Sequence, residues 1–487
     1  MNRTVPFSGA SVSLSLVDGR GERSEFVFDE RSTCLIGRGE DCSPRLPNDE
    51  HHRSVSRHHC MLDINPPDVR IRDFGSRNGT FVNGVKIGQR DPSQSAAQGR
   101  APGRHEQDLR DGDEVRLGRS VAFRINVVVP PEEATTLVVE PDQADTLPPP
   151  GCVKCGREIT RELGRRGVAA GQYVCAACQA NPQDVMTLLV KLAQAGTRSD
   201  LRAIAQYTLL DELGRGGMGA VYLARHRETG RLVALKLMLP KVAANEVARA
   251  RFLREVELTR RLRHPNIARL YDDGFGDGAF FFTSEYCEGG SLDRLLQVRG
   301  GTLPVDEAVR YTLDVLEGLD YAHEKENIVH RDLSPSNILL ADSTSAGRGY
   351  GGAPYVAKIG DFGLGKAFDQ AGLSGLTRTG AKAGKPWYLA RQQVVNFKNV
   401  PKSVDVWALA ASLYKCLTGA YVRDFPGDVD QWQVILYSAP VPIRERDPKV
   451  PRALAEVIDT ALIDHREIGF ASAAAFRDAL RSAWLSL

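Results

Sequence analysis

No run of 18 consecutive apolar residues occurs in the 487-residue chain, and its start, Met-Asn-Arg-Thr-Val-Pro-Phe-Ser-Gly, has no long apolar stretch behind the arginine. A membrane-spanning helix and a secretory leader are therefore not expected, and the sequence reads as a soluble cytoplasmic protein. It also lacks an excess of charge: 63 basic residues against 61 acidic ones leave a net charge of +2. That balance gives no case for nucleic acid as a bulk partner. Cysteine is scarce, with nine residues, which excludes a disulfide scaffold. No internal repeat is present. What remains, 42% hydrophobic and 25% charged, is ordinary globular composition, and the length suggests about three domains of roughly 150 residues.

Residues 11–129 read as all-β. Ser11-Val12-Ser13-Leu14-Ser15-Leu16-Val17 alternates with period two, and Glu25-Phe26-Val27-Phe28, Val69-Arg70-Ile71-Arg72 and 121–129 repeat the habit between Gly, Asn and Asp turns. A sandwich is the expected packing. Residues 89–107 lack periodicity and read as a solvated loop, and 130–150, rich in Pro and acids, as an extended linker. A cysteine module follows at 151–181. Residues 184–205 read as a connecting helix with Val185, Leu188, Leu189, Leu192 and Ala193 on one face and Asp184 as its cap. The remainder divides into a strand-rich part, 207–285, and a helical part, 290–487, with a Gly/Ser-rich insert at 343–352 expected to lengthen a hairpin.

Four of the cysteines are patterned. Cys152-Val153-Lys154-Cys155 and Cys175-Ala176-Ala177-Cys178 stand nineteen residues apart, a spacing suited to four thiolates around structural Zn²⁺. The module resembles a zinc ribbon. Disulfides are the competing reading, disfavoured in a reducing compartment. Cys34, Cys42, Cys60, Cys287 and Cys416 have no such spacing.

Between residues 214 and 363 five signatures occur in a fixed order. Gly214-Arg215-Gly216-Gly217-Met218-Gly219-Ala220-Val221 gives backbone amides close access to phosphate oxygens. Seventeen residues past Gly219, Lys236 in Val233-Ala234-Leu235-Lys236 lies on an expected strand. Glu255, in Phe252-Leu253-Arg254-Glu255-Val256, is the helix carboxylate expected to pair with it. His330-Arg331-Asp332 precedes Asn337 by five residues, and Asp361-Phe362-Gly363 follows. The set resembles a protein kinase, specifically the bacterial Ser/Thr kinases of eukaryotic type, over about residues 207–487. His264-Pro265-Asn266-Ile267 and Asp405-Val406-Trp407 extend the resemblance beyond the chemistry.

The resemblance implies a bilobal α+β kinase fold and transfer of the ATP γ-phosphoryl to Ser or Thr hydroxyls of protein substrates, with Mg²⁺. Asp332 would orient or deprotonate the hydroxyl, Lys236 with Glu255 would hold phosphates, and Asn337 and Asp361 would bind the metal. Leu213, Gly214, Gly216, Gly217, Gly219, Val221, Ala234 and Lys236 would surround ATP, against a hinge at Glu285-Tyr286-Cys287. Arg331 implies a phosphorylated activation loop, with Thr377 and Thr379 as the acceptors expected.

The sequence departs from the family at two places. Where Lys usually follows the catalytic Asp by two residues, this chain has Ser334, and where Thr usually stands in Gly-Thr-Pro it has Lys385 in Gly384-Lys385-Pro386. The Lys385 ammonium is expected to supply the missing cation beside Asp332; the alternative is that it pairs with Asp332 and blocks it. Ala390-Arg391-Gln392 stands where Ala-Pro-Glu is usual, and the Arg that would pair with that Glu is not found at its expected place near Asp464-His465-Arg466-Glu467-Ile468-Gly469. Arg466 is a candidate partner for Gln392. A catalytically weak pseudokinase scaffold is accordingly the alternative function.

In the β-rich part, Gly37-Arg38, Ser56-Arg57-His58-His59, Ser76-Arg77-Asn78-Gly79-Thr80 and Val82-Asn83-Gly84 all fall on expected turns. Arg38, Ser56, Arg57 and Asn78 offer donors suited to a phosphate. The set resembles a forkhead-associated (FHA) domain over about 11–129. That resemblance implies phosphothreonine binding by Arg38, Ser56 and Arg57, peptide orientation by Asn78 and a structural role for His59. A degenerate spacer is the competing reading. Thr135 and Thr136 in the linker are candidate phosphoacceptors that the same domain would bind; a plain solvated linker is the alternative.

Overall fold

Serines alternating with Val12 and Leu14 give the first strand one apolar face, and both of these side chains are fully buried. The computed structural model describes residues 10–17, 24–91, 93, 106–129, 151–152, 154–159, 174–194, 202–216, 219–240, 246–276, 279–343, 355–362, 364, 385–395, 400–427, 429–465 and 467–487. Among the described residues ten strands form the N-terminal sandwich: β1 (Ser11–Val17), β2 (Glu25–Phe28), β3 (Ser32–Ile36), β4 (Cys60–Asn65), β5 (Asp68–Asp73), β6 (Thr80–Val82), β7 (Val85–Gly88), β8 (Glu106–Leu109), β9 (Glu114–Leu117) and β10 (Val121–Val128). One sheet has the order β2-β1-β10-β9-β6-β7 and the other β3-β4-β5-β8, with every pairing antiparallel. Between them lies a core that includes Leu14, Ile36, Leu62, Ile71 and Phe123.

The expected loop at 89–107 ends earlier than its composition suggests. Glu106 and Gln107 belong to β8, because Glu106 binds Arg72 of β5 at 2.7 Å and the ladder continues through Gln107. The linker at 130–150, with Thr135 and Thr136, lies outside the described residues.

The cysteine module contributes a short helix, α1 (Ala176–Gln179), and the connecting helix appears as two pieces, α2 (Pro182–Gln194) and α3 (Arg202–Ala205). The single helix expected over 184–205 therefore begins two residues earlier. Proline at the first helical position costs no hydrogen bond there, and Asp184 sits in the first turn, binding Lys154 at 2.5 Å. Its apolar face joins Val185, Met186 and Leu189 to Cys152, Cys175 and Cys178 and to the strand-rich lobe in one core.

That lobe is a five-stranded antiparallel sheet of order β11-β12-β13-β15-β14, built from β11 (Tyr207–Gly216), β12 (Gly219–His226), β13 (Leu232–Met238), β14 (Leu270–Gly276) and β15 (Ala279–Glu285), with α4 (Glu246–Arg260) against it. The helical lobe holds α5 (Leu292–Val298), α6 (Val305–Glu324), the hairpin β16 (Ile338–Asp342) and β17 (Tyr355–Ile359), α7 (Arg391–Val395), α8 (Ser403–Thr418), α9 (Gln431–Tyr437), α10 (Ile443–Arg446), α11 (Arg452–Ala461) and α12 (Ala473–Leu485). All of α8 is buried except Lys415 and Thr418, as suits the central helix of a lobe, and Gly419, with φ of 70°, ends it in the left-handed conformation. No helix among the described residues is long and apolar enough to cross a membrane.

The sandwich and the helical lobe share a seam. Leu35, Cys42, Met61 and Phe74 from β3–β5 and their loops are buried in one cluster with Val394, Ile435 and Leu436 from α7 and α9.

Candidate functional site

Between the lobes, the catalytic loop is fixed from beneath by Asp405 at the start of α8. Its carboxylate, 1% exposed, accepts from the His330 amide at 2.7 Å, the Arg331 amide at 2.8 Å and His323 Nε2 at 2.8 Å. Burial by itself raises a carboxyl pKa, but the His323 hydrogen bond and the nearby imidazoles outweigh it and hold Asp405 below its ordinary value. His330 is fully buried. Its Nε2 lies 3.1 Å from the Gly360 carbonyl while Nδ1 accepts from the Asp332 amide at 3.2 Å.

With the loop held this way, Asn337 Nδ2 donates to the Asp332 carbonyl at 2.6 Å and to Asp332 Oδ2 at 3.2 Å. The Asn337 backbone carbonyl accepts from the Gly360 amide at 2.8 Å, next to Asp361. Asp361 Oδ2 accepts from Lys236 Nζ at 2.5 Å. Asp332, Asn337, Asp361 and Lys236, picked out from the sequence, are thus joined by direct or one-residue links. Arg331 and Asp361 have φ of 66° and 49°, left-handed backbone that costs a non-glycine residue about 1–3 kcal/mol, and the flanking bonds hold them there.

Glu255 does not take its expected place. It is exposed on α4, and the Lys236 ammonium bonds Asp361 instead. Thr259, one turn further along α4, donates to the Phe362 carbonyl at 3.2 Å, so the helix does touch the Asp-Phe-Gly segment. In the glycine loop, Gly219 has φ of 149° and pairs with Met238, and a Cβ there would meet the Leu237 carbonyl at 1.8 Å. Only glycine fits that crossing. Gly214 and Gly216 end β11, Val221 and Ala234 lie on the paired strands β12 and β13, Leu213 is exposed, and Gly217 lies outside the described residues. At the hinge Glu285 binds Lys358 at 2.9 Å, and Cys287 is buried, which pushes its thiol up to about 12.

Lys385 reaches the catalytic loop. Its ammonium donates to Ser334 Oγ at 3.0 Å and to Ser336 Oγ, and Ser336 Oγ in turn lies 3.4 Å from Asn337 Oδ1. The cation therefore sits on the residue that replaces the usual lysine, bonded to its hydroxyl and not to Asp332. Thr377 and Thr379 lie outside the described residues, as does Arg466.

The Arg391-Gln392 departure has a compensation the sequence reading missed. Gln392 Nε2 donates to the Asp464 carbonyl at 3.1 Å, the Arg391 amide donates to Asp464 Oδ2 at 3.0 Å, and Asp464 forms a buried ion pair with Arg423 at 2.6 Å. A buried pair is present here after all, made by other residues. The Arg391 guanidinium turns outward, where it binds Asp41 of the sandwich at 2.5 Å. An arginine in the usual proline position was the available signal.

Cys152, Cys155, Cys175 and Cys178 converge, with all four sulfurs within 4.8 Å of one another and Cys155 and Cys175 at 3.7 Å. Sulfurs around tetrahedral zinc stand about 3.8 Å apart, from Zn–S bonds of about 2.3 Å. The Cys175 amide donates to Cys152 Sγ at 3.3 Å, a contact that suits a thiolate.

The four phosphate-donor candidates of the sandwich also meet at one end. Arg38 Nε donates to the Val55 carbonyl at 2.6 Å, Asn78 Nδ2 to the Ser54 carbonyl at 2.7 Å, and Ser56 Oγ accepts from the Arg77 amide at 3.0 Å. Arg57 is exposed beside them. Gly37 permits the approach, since a Cβ there would meet the Arg57 carbonyl at 2.0 Å. His59 is fully buried, its Nδ1 accepting from the Ser56 amide at 3.0 Å and its Nε2 donating to the Gly79 carbonyl at 3.1 Å. It ties two of the loops together, which is the structural role expected.

The protein kinase domain family matches residues 207–459, just over half of the chain, and the FHA domain family matches residues 34–118. Among curated proteins the chain is similar to the tyrosine-protein kinase MasK of Myxococcus xanthus, 32% identical over 306 residues, which is 60% of this chain and 45% of that one. It is similar to the serine/threonine-protein kinase PknD of Mycobacterium tuberculosis, 36% identical over 272 residues, 55% of this chain and 38% of that one. The chain spans less than half the length of either relative. Among solved structures it is similar to the PknI kinase domain of Mycobacterium tuberculosis, with 28% identity, a TM-score of 0.44, and coverage of 57% of this chain and 96% of that one.

Proposed function

The chain belongs to the protein kinase domain family, carries an FHA domain, and from its cleft we propose that it transfers the γ-phosphoryl of ATP to Ser and Thr hydroxyls of proteins. The observation that carries this reading is the linked set Asp332, Asn337, Asp361 and Lys236, with Lys385 on Ser334. Asp361 and Asn337 offer the hard oxygen donors that Mg²⁺ takes, and the bound metal supplies charge neutralisation across the phosphates. Asp332 accepts the proton of the incoming hydroxyl, its Oδ2 oriented by Asn337. Lys236 holds the phosphates once it exchanges Asp361 for them. Lys385 brings positive charge to the place where the family keeps a lysine on the loop itself, so that charge developing on the transferred group is stabilised from the activation-segment side.

The sandwich is read as a phosphothreonine binder through Arg38, Ser56, Arg57 and Asn78, and the four cysteines as a structural Zn²⁺ site. Both readings rest on convergence of the right donors. One contact favours a second function. An active kinase pairs its strand lysine with a helix glutamate, whereas Lys236 binds Asp361 and Glu255 is exposed. That arrangement suits a scaffold acting through its binding modules.

Incubation of the full chain with Mg·ATP and a mixed protein substrate, followed by mapping of the phosphorylated residues, separates the two. Phosphoserine and phosphothreonine that disappear in Asp361→Asn support the kinase. Only phosphotyrosine, the specificity named for MasK, would overturn the hydroxyl assignment, and no phosphate at all would leave the scaffold.

A further inference from the structure

The seam between sandwich and helical lobe is anchored at both ends of α9. At the N-terminus Arg72 of β5 binds Asp430 at 2.8 Å, and Asp430 also caps the helix by accepting from the Trp432 amide at 2.9 Å. At the C-terminus His58 Nδ1 meets Tyr437 Oη at 3.1 Å, and Asp41, bonded to His58 Nε2 at 2.7 Å, binds Arg391 at 2.5 Å. Two separated polar anchors around an apolar patch resist pivoting about either one, so the sandwich is held in one orientation.

The second anchor is continuous with the phosphate-donor loops. His58 directly follows Arg57, whose carbonyl accepts from the Gly39 amide at 2.8 Å and from Cys42 Sγ at 3.1 Å. On the lobe side the same anchor runs to the catalytic loop: two residues after Arg391, Gln393 Nε2 donates to the Arg331 carbonyl at 2.8 Å, next to Asp332. Arg57, next to His58, is exposed at the sandwich side of this anchor.

Resting on the kinase and phosphothreonine readings above, we propose that the chain's substrates are primed. They already carry a phosphothreonine, which the Arg38, Ser56, Arg57 and Asn78 loops hold while a second hydroxyl on the same polypeptide enters the cleft beside Asp332. The chemistry at the second hydroxyl is unchanged: its oxygen bonds the γ-phosphorus, the bond from that phosphorus to the β,γ-bridging oxygen breaks, ADP leaves and the proton goes to Asp332. The fixed seam sets the distance between the two sites. Capture at one therefore raises the local concentration of acceptor at the other, provided the intervening peptide has a matching length.

The test uses the full chain and synthetic peptides with one acceptor hydroxyl and one phosphothreonine on either side of it. Spacers run from about 4 to about 16 residues, an extended reach of about 13 to 55 Å. The expected result is a KM at least about tenfold lower than for the unphosphorylated peptide at one spacing and not at the shortest, with kcat unchanged. Arg57→Ala should abolish that gain. Arg72→Glu, which sets like charge against Asp430, should erase the spacing preference while phosphopeptide affinity, read by fluorescence anisotropy, and turnover of the unphosphorylated peptide persist. Equal KM for primed and unprimed peptides at every spacing, in a protein that binds phosphothreonine and turns over, overturns this inference alone. Absent turnover or absent phosphopeptide binding overturns the corresponding underlying reading, and this inference with it.

Discussion

At the scale of single residues, the position of Lys385 determines whether the departures in the catalytic loop are compensated. Its ammonium is bonded to Ser334, which stands where the family usually has lysine, and to Ser336, without occupying Asp332. Lys385→Thr is therefore expected to lower kcat about 100-fold with little change in KM for ATP, measured by steady-state kinetics, as for loss of one stabilising group at a developing charge. Unchanged or faster turnover would refute the compensating role. His59 supplies a pH prediction. Burial lowers its pKa below 6.5, against the opposing pull of Asp73, so the folded sandwich binds fewer protons than the unfolded chain. Its contribution to stability is complete above about pH 6.5 and is lost as pH falls through the window between that value and the lower folded pKa. Hydrogen exchange at β4 and β6 should report weaker protection at pH 5 than at pH 7. Residue identities in both sites were legible because they stand in motifs. The partner of Lys236 was not, since sequence order names Glu255 as a candidate but says nothing of which way α4 turns it.

At the scale of elements, two local replacements carry consequences. The first turn of α7 carries Gln392 in place of the usual glutamate, and the Arg423–Asp464 pair, with side chains 1% and 6% exposed, takes the structural position. Arg423→Met leaves a buried carboxylate without its cation and should cost about 3–5 kcal/mol. Urea unfolding followed by tryptophan fluorescence reads that lobe, because Trp387, Trp407, Trp432 and Trp484 all lie in it. The cysteine module is the other case. Gln179 of α1 donates to the Pro240 carbonyl at 2.7 Å, just beyond the strand that carries Lys236, and the cysteines share a core with β11–β13. Chelation of zinc, or Cys175→Ser, should lower the thermal midpoint by at least about 5 °C and weaken nucleotide binding together, followed by calorimetry and nucleotide titration. A midpoint that is insensitive to chelators would contradict a metal-held module. The convergence of the four cysteines and the strand periods were readable from spacing. The shared core was not, because neither the module nor the lobe shows in its own sequence which face the other covers.

At the scale of the whole molecule, an FHA sandwich, a cysteine module and a two-lobed kinase domain are packed against one another. The module lies on the strand-rich lobe and the sandwich on the helical one. The expected division into these parts came from composition, motif order and the two family resemblances. The seam depends on Asp41 with Arg391 and on Arg72 with Asp430, charged pairs whose members stand 350 and 358 positions apart and whose pairing no periodicity encodes. Below all of this stands the claim that the cleft is a working phosphoryl-transfer site. Its most direct measurement is the rate of γ-phosphate incorporation by purified full chain in Mg·ATP beside Asp332→Asn. The expected result is transfer by the native chain and a loss of at least about 100-fold in the variant. A folded native chain that incorporates no more phosphate than Asp332→Asn would contradict it.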